Sequence, residues 1–394
     1  MRRAVRFGGL GLLLSGLVAI APANESVDRY NYILGTHTIG AHYQFTDKTR
    51  LVETAEVIQG MGSNILKFRF GPSFSKRNYA GPNPGQYDRL VDLAAHEPSF
   101  RAVFEMPFYY YFMWVAPMQP AKWGDADGFT RKDALITYRE IYDFVTYLLK
   151  TYRGSGKHFY LGHWEGDWLL VRDYDAQMDP IPHRVENMIK WLIVRQKAVD
   201  DAKRDNPDTD VQVFHYCEVN QVMKGLKGQK CLTTEVLPHV SVDYVSYSAY
   251  DAQQNAATNL PAALDFIEKH LPAKPELSGK RVWIGEFGFK AKSHSPAAQQ
   301  ARSLEFAELA IQWGCPFVLH WQLYDNEFKD GAYNGFWLIN DKGEEQPLFH
   351  ALTDYFNAGR RAVASSVQQT GQVPDADSYR QQAQEWLQAA NAPQ

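Results

Sequence analysis

From position 32 onward, short apolar runs alternate with longer stretches in which apolar residues return every three or four positions. The short runs read as strands buried on both faces, the longer ones as amphipathic helices. Eight candidate strands result: Tyr32–Thr36, Ile65–Phe70, Ala102–Met106, His158–His163, Val211–Tyr216, Tyr244–Ser248, Val282–Glu286 and Phe317–Trp321. Between them, Thr130-x-x-Asp133 is a capping box, after which Leu135, Tyr138, Tyr142, Val145, Leu148 and Tyr152 mark one helix face. Val185, Ile189, Leu192 and Val199 mark a second helix, and Leu264, Ile267 and the Ser303–Trp313 stretch follow the same spacing. The connection from Glu218 to Val240 is the least regular and reads as holding only a short helix.

Eight strand–helix alternations with near-continuous apolar strands argue for a parallel sheet covered by helices, and eight is the count that closes a (β/α)8 TIM barrel. An open doubly wound sheet would instead need a phosphate-binding glycine loop. The one glycine-rich stretch, Gly8-Gly9-Leu10-Gly11, falls in a segment that reads as a targeting signal. Met1–Arg6 is basic, Phe7–Ile20 is apolar, and Ala21-Pro22-Ala23 supplies a small-x-small cleavage pattern. Residues 1–23 are therefore expected to be a signal peptide, with export to the periplasm or medium. The apolar run falls short of the ~18 residues of a membrane span, so no membrane anchor is expected. Residues 24–359 are expected to form a single barrel. Residues 360–394, polar and rich in Gln, Ala and Ser, read as a tail or peripheral helix.

A net charge of -4 with 22% charged residues leaves no basic stripe for nucleic acid. Three cysteines are too few for a disulfide scaffold. Cys217 and Cys231 are within reach of a bridge, and three packed thiols, Cys315 included, is the equal alternative. No His/Cys cluster has metal-ligand spacing. His163 and Glu165 share a strand end, but no third ligand declares itself, so neither a metal nor an organic cofactor is expected. Aromatic residues make up 14%, with ten Trp and 22 Tyr. A large core uses some of these, and sugar sites use others as stacking faces.

In a barrel the C-terminal strand ends form the active-site floor. Arg69 ends the second strand, and Pro107–Trp114 follow the third as a packed loop or cleft wall. His163, Trp164 and Glu165 end the fourth strand, and His215, Tyr216 and Glu218 the fifth. Tyr247 and Tyr250 end the sixth, Glu286 the seventh, and His320, Trp321 and Tyr324 the eighth. Nearly every strand ends in a group able to hydrogen-bond or stack on a sugar. Two stand out: Glu165 in His163-Trp-Glu-Gly166, and Glu286 in Trp283-Ile-Gly-Glu-Phe-Gly288. A carboxylate in an apolar strand is expensive unless paired or functional, and two carboxylates on one rim are the minimum equipment for breaking a glycosidic bond. The candidate catalytic pair is Glu165 and Glu286. Arg69, His163, Trp164, His215, Tyr247, Tyr250, His320 and Trp321 are candidates for substrate binding. A structural salt bridge of Glu286 with Arg69 or Lys290 is the bland alternative. Asp167 competes with Glu165 but belongs more naturally to the loop, and one of Tyr247 and Tyr250 is ordinary packing.

These segments resemble glycoside hydrolase clan A, the retaining (β/α)8 glycosidases of the family 5 type. The resemblance implies Glu165 as acid/base and Glu286 as nucleophile. Arg69, a Tyr after the sixth strand and Trp321 would lie around them, with an oligo- or polysaccharide substrate and no cofactor. One position departs from the clan, whose members mostly carry Asn immediately before the acid/base, where it touches the sugar 2-hydroxyl. Here that residue is Trp164. Either His163 or His215 takes that contact, or the substrate presents a different 2-substituent, as in families resembling β-mannanases. A transglycosylase, a non-catalytic carbohydrate-binding barrel and a metal-dependent barrel enzyme remain the alternatives.

Overall fold

The computed structural model describes residues 23–392 apart from 78, 82, 120, 122, 123 and 125–127. The expected signal segment thus lies outside the described residues, except for Ala23, which opens a helix running to Arg29. Eight strands close into a parallel barrel in sequence order. They are β1 (Leu34–His37), β2 (Ile65–Phe70), β3 (Tyr110–Val115), β4 (His158–Gly162), β5 (Gln212–Val219), β6 (Tyr244–Ser248), β7 (Val282–Phe287) and β8 (Val318–His320). The (β/α)8 expectation holds, and β2 and β6 have the expected bounds.

The third strand is a correction. Ala102–Met106 falls largely in a helix, Pro98–Glu105, with Pro98 in its first turn and Phe100, Val103 and Phe104 buried at helical spacing. The strand is the aromatic run after it, expected to be loop. Every residue of β3 is buried: Tyr110, Phe112 and Trp114 point into the barrel, while Tyr111, Met113 and Val115 join the helix-facing core. A strand buried on both faces carries no polar alternation to read. The helix Arg131–Thr151 has the expected capping box on Thr130 and Asp133. Its buried face is rotated from the expected one, however: Thr137, Ile141, Phe144, Val145 and Leu148 are buried, and Leu135 is exposed.

The barrel interior is aromatic rather than aliphatic, with Phe112, Tyr160, Tyr216, Trp283 and Phe317 packed together. Trp283 is fully buried and meets Phe112, Tyr160 and Tyr216 edge-on at centroid distances of 5.2, 5.4 and 5.1 Å. Much of the aromatic content therefore serves the lumen. At the closing seam, Pro347–Thr370 is one continuous helix, so position 360 lies inside it. Tyr355 of this helix donates to the Tyr32 carbonyl at 2.8 Å. The last helix, Ala376–Asn391, is capped by Asp375 and buries Tyr379, Ala383 and Leu387. Among the described residues, no helix is long and apolar enough to cross a membrane.

Trp283→Ala is expected to cost about 3–5 kcal/mol of stability by leaving a cavity at the centre of the lumen. Denaturant unfolding of the variant measures it, and a loss below about 1 kcal/mol would show that the lumen collapses to fill the gap.

Candidate active site

Glu286 reaches the barrel mouth through a local irregularity in β7. Trp283 points into the lumen and Ile284 out, so strict alternation would send Glu286 outward with Ile284. The β6 and β8 registers both slip by one residue between Ile284 and Phe287. This bulge turns Glu286 inward and leaves Phe287 outside, stacked on Phe306 at 5.2 Å. Gly285 makes the bend possible: a Cβ there would lie 1.8 Å from Ser246 Oγ and 3.2 Å from Glu218 Oε2.

Glu165 follows β4 and opens the short helix Gly166–Leu170. One turn on, the Trp168 indole N–H donates to its carboxylate at 2.9 Å. The Glu165 backbone N–H donates at 3.1 Å to Glu218, at the end of β5. Glu218 is fully buried and accepts three further bonds on its other oxygen: from Lys67 Nζ at 2.9 Å, Ser246 Oγ at 2.8 Å and Trp114 Nε1 at 3.2 Å. Lys67, on β2, also stands 3.8 Å from Glu286 Oε1, and Tyr250 donates to Glu286 Oε2 at 3.3 Å.

Four ionisable groups thus share a buried floor. Burial raises the Glu165 pKa to about 8, with the Glu218 charge adding to the shift. Burial also raises Glu286, against the pull of Lys67 and with the push of Glu165 and Glu218. Two such carboxylates resist ionising together. Among the described residues Lys67 stands within 4 Å of Glu286, and no cation stands that close to Glu165. Lys67 thus offsets part of the rise at Glu286, whereas at Glu165 its pull ranks below the Glu218 charge and the Trp168 hydrogen bond.

Arg69, Trp164, Glu165, Tyr250, Glu286 and Trp321 all line one cleft of about 990 Å³. His163, His215, Tyr247 and His320 do not, and strand parity explains the last three. On β5, Phe214, Tyr216 and Glu218 face inward, so His215 faces the Pro182–Asp205 helix, where Arg195 donates to its Nε2 at 3.1 Å. Tyr247 likewise faces outward and bonds Asp251. His320 packs edge-on against Phe287. His163 sits 5.4 Å from the Trp191 ring and faces the Glu218 amide. Burial lowers the pKa of His163 to about 4 and of His320 to about 3, and pushes His215 down as well. These imidazoles are neutral packing groups.

Arg69 is also reassigned: the cation beside Glu286 is Lys67, one pleat deeper on the same strand. Asp167 is structural, its carboxylate accepting the backbone N–H groups of Leu232, Asn220 and Gln221. Cys217, Cys231 and Cys315 are all buried free thiols. Among the described residues no group of three or more His, Cys, Asp or Glu could hold a metal ion. Lys67 escaped the sequence reading, and Glu218 was placed at the end of the fifth strand without a role in the site. A lysine inside Ile65-Leu-Lys-Phe-Arg-Phe70 and a glutamate in phase with Phe214 and Tyr216 were the available signals.

No protein-family model matches the sequence, and no curated protein does so either. Solved structures do. A GH5_18 glycoside hydrolase variant from Streptomyces cattleya, in complex with Manβ1-4GlcNAc, superposes with a TM-score of 0.53 at 14% identity, over 91% of this chain and 92% of that one. A family 39 glycoside hydrolase from the gut symbiont Bacteroides cellulosilyticus WH2 gives 0.53 at 14%, over 84% and 64%. The exo-β-1,4-mannosidase from Opitutaceae bacterium strain TAV5 gives 0.53 at 12%, over 83% and 59%. The chain thus spans less than two thirds of the latter two. The likeness is one of fold.

Because the folded Glu165 pKa of about 8 lies above its ordinary 4.5, the folded protein keeps that proton across the interval. The stability linked to it is full below the interval and lost as pH rises through about 8. Glu165→Gln should therefore melt higher than the parent protein above that pH, and at a similar temperature at the acid end. Melting curves that run parallel at all pH values would refute the assignment.

Proposed function

We propose that this chain is a glycoside hydrolase that cleaves β-linked glycans with retention by double displacement, with Glu286 as nucleophile and Glu165 as acid/base. The observation that carries the reading is the asymmetry between two carboxyl groups in one cleft. Glu286 has Lys67 and Tyr250 on it, while Glu165 has an indole N–H and, among the described residues, no cation within 4 Å. One is equipped to attack, the other to deliver a proton.

In the first step a Glu286 oxygen adds to the anomeric carbon as the bond to the leaving oxygen breaks, and Glu165 passes its proton to that oxygen. Glu286 loses its negative charge in becoming an ester. Lys67 is not stranded by this loss, because Glu218 holds it from below. Glu165, now ionised, takes a proton from water. The water oxygen adds to the anomeric carbon, and the ester electron pair returns to Glu286. Trp164, in place of the clan's usual Asn, together with the Manβ1-4GlcNAc complex and the exo-β-1,4-mannosidase among the structural neighbours, makes β-mannosides the first substrates to assay.

Glu286→Gln should abolish turnover on every substrate. Glu165→Ala should lose about 10²–10⁴-fold on poor leaving groups and much less on activated aryl glycosides. Azide should then rescue Glu165→Ala with retained configuration. Equal losses on both substrate types, or an azide product of inverted configuration from Glu165→Ala, would defeat the assignment.

Export by residues 1–23 belongs to the same proposal, motivated by the basic, apolar and Ala21-Pro22-Ala23 segments. Mass spectrometry of the native protein should find an N-terminus near Asn24, and retention of residues 1–23 would contradict it.

A further inference from the structure

Among the described residues, two half-buried cations of the cleft have no counter-charge, while Lys290 on the same lining is exposed. Arg69 extends from β2, two residues beyond Lys67, and Arg77 ends the short turn Ser75–Arg77. Both are half-buried and both line the cleft. The buried cations among the described residues all have hydrogen-bond partners: Lys67 has Glu218, Lys274 has Asp243, Arg195 has His215 and two carbonyls, and Lys157 has two carbonyls and the Tyr111 hydroxyl. Among the described residues, no carboxylate lies within 4 Å of either arginine, and neither guanidinium donates a hydrogen bond to the protein. Arg77 Nε is buried without a partner, and so is the neighbouring Asn326 Oδ1. The pair is mutually repulsive, since burial and the Arg77 charge both push the Arg69 pKa down.

The cleft's acids are committed elsewhere. Glu286 faces Lys67 and Tyr250, Glu165 accepts from Trp168, Asp251 holds Tyr247 and the Met223 amide, and Glu327 accepts from Asn334. Partly desolvating two adjacent guanidiniums is costly without an anion, and the planar fork of arginine matches a carboxylate or an ester sulfate through paired hydrogen bonds.

We propose that Arg69 and Arg77 form a subsite for an anionic substituent on the glycan, so that this enzyme acts on an acidic sugar chain. A uronosyl carboxylate and an ester sulfate share the required chemistry. The proposal rests on the glycosidase reading for the identity of the rest of the ligand. The anion itself is argued from the arginines alone.

The test is calorimetric binding to full-length Glu286→Gln protein, which holds ligand without turning it over. The probes are a mannuronate hexamer, a sulfated carrageenan hexamer and neutral mannohexaose. One acidic probe should bind at least roughly tenfold tighter than the neutral one, with a preference that shrinks as salt rises. The probe preferred tells carboxylate from sulfate. Adding Arg69→Met and Arg77→Met should erase the preference, with melting curves certifying the fold. If the double change does not fold, Arg77→Met alone and the salt dependence of the Arg-intact protein decide. Equal binding of all probes, or a preference that survives loss of the arginines, overturns the subsite. Hydrolysis of neutral glycans without any anionic preference would refute the subsite and leave the hydrolase standing. Arginine-dependent acidic preference without hydrolysis of any glycan would do the reverse.

Discussion

The Lys67–Glu218 ion pair, closed to solvent at the floor of the cleft, is the contact on which the site's arrangement depends. A buried pair of this kind is weak evidence for stability, because desolvation consumes most of the Coulomb gain. Its value here is positional. Glu218 ties four elements together: Lys67 from β2, Trp114 from β3, Ser246 from β6 and the Glu165 amide after β4. Removing either partner would leave a naked charge in the barrel and release the backbone that carries Glu165. The same pair sets the electrostatics, since a lysine neutralised from below draws less strongly on Glu286 above it. Both upper carboxyl groups accordingly retain a high proton affinity.

The bulge in β7 is the second constraint, and it depends on smallness. Gly285 and Ser246 approach so closely that no side chain fits at 285, which lets Glu286 rotate over the lumen. Beneath that point the wide rings of Trp283, Tyr216 and Phe112 fill the barrel. Large rings below and a missing side chain above produce a rigid floor with room directly over it.

The parts of this arrangement legible in the sequence were those carried by period and by strand ends. Ile65–Phe70 and Tyr244–Ser248 stood out as short runs between longer amphipathic stretches, and Glu165 and Glu286 because each stands at the end of an apolar run. Tyr110–Val115 was not legible as a strand, since burial on both faces erases alternation, while Ala102–Met106 mimicked one by packing a helix face with β-type residues. His163, His215, Tyr247 and His320 were chosen for their chemistry at a strand end. Parity alone excludes His215, Tyr247 and His320, each flanked by inward-facing neighbours. Lys67 hid for the opposite reason: its neighbour Arg69 is nearer the rim and looks the more functional cation. The closeness of Glu218 to Lys67 joins positions 151 apart, which no local pattern records.

Among the described residues, four tryptophans, Trp114, Trp164, Trp168 and Trp321, border the cleft. Two of them hand their indole hydrogens to carboxylates of the site, Trp114 to Glu218 and Trp168 to Glu165. An indole's emission responds to nearby charge and to the exclusion of water. Any change of protonation on Glu165, or any ring that settles against Trp321, therefore alters the light the protein itself gives off. The molecule carries a built-in optical gauge of what occupies its mouth, readable without a label.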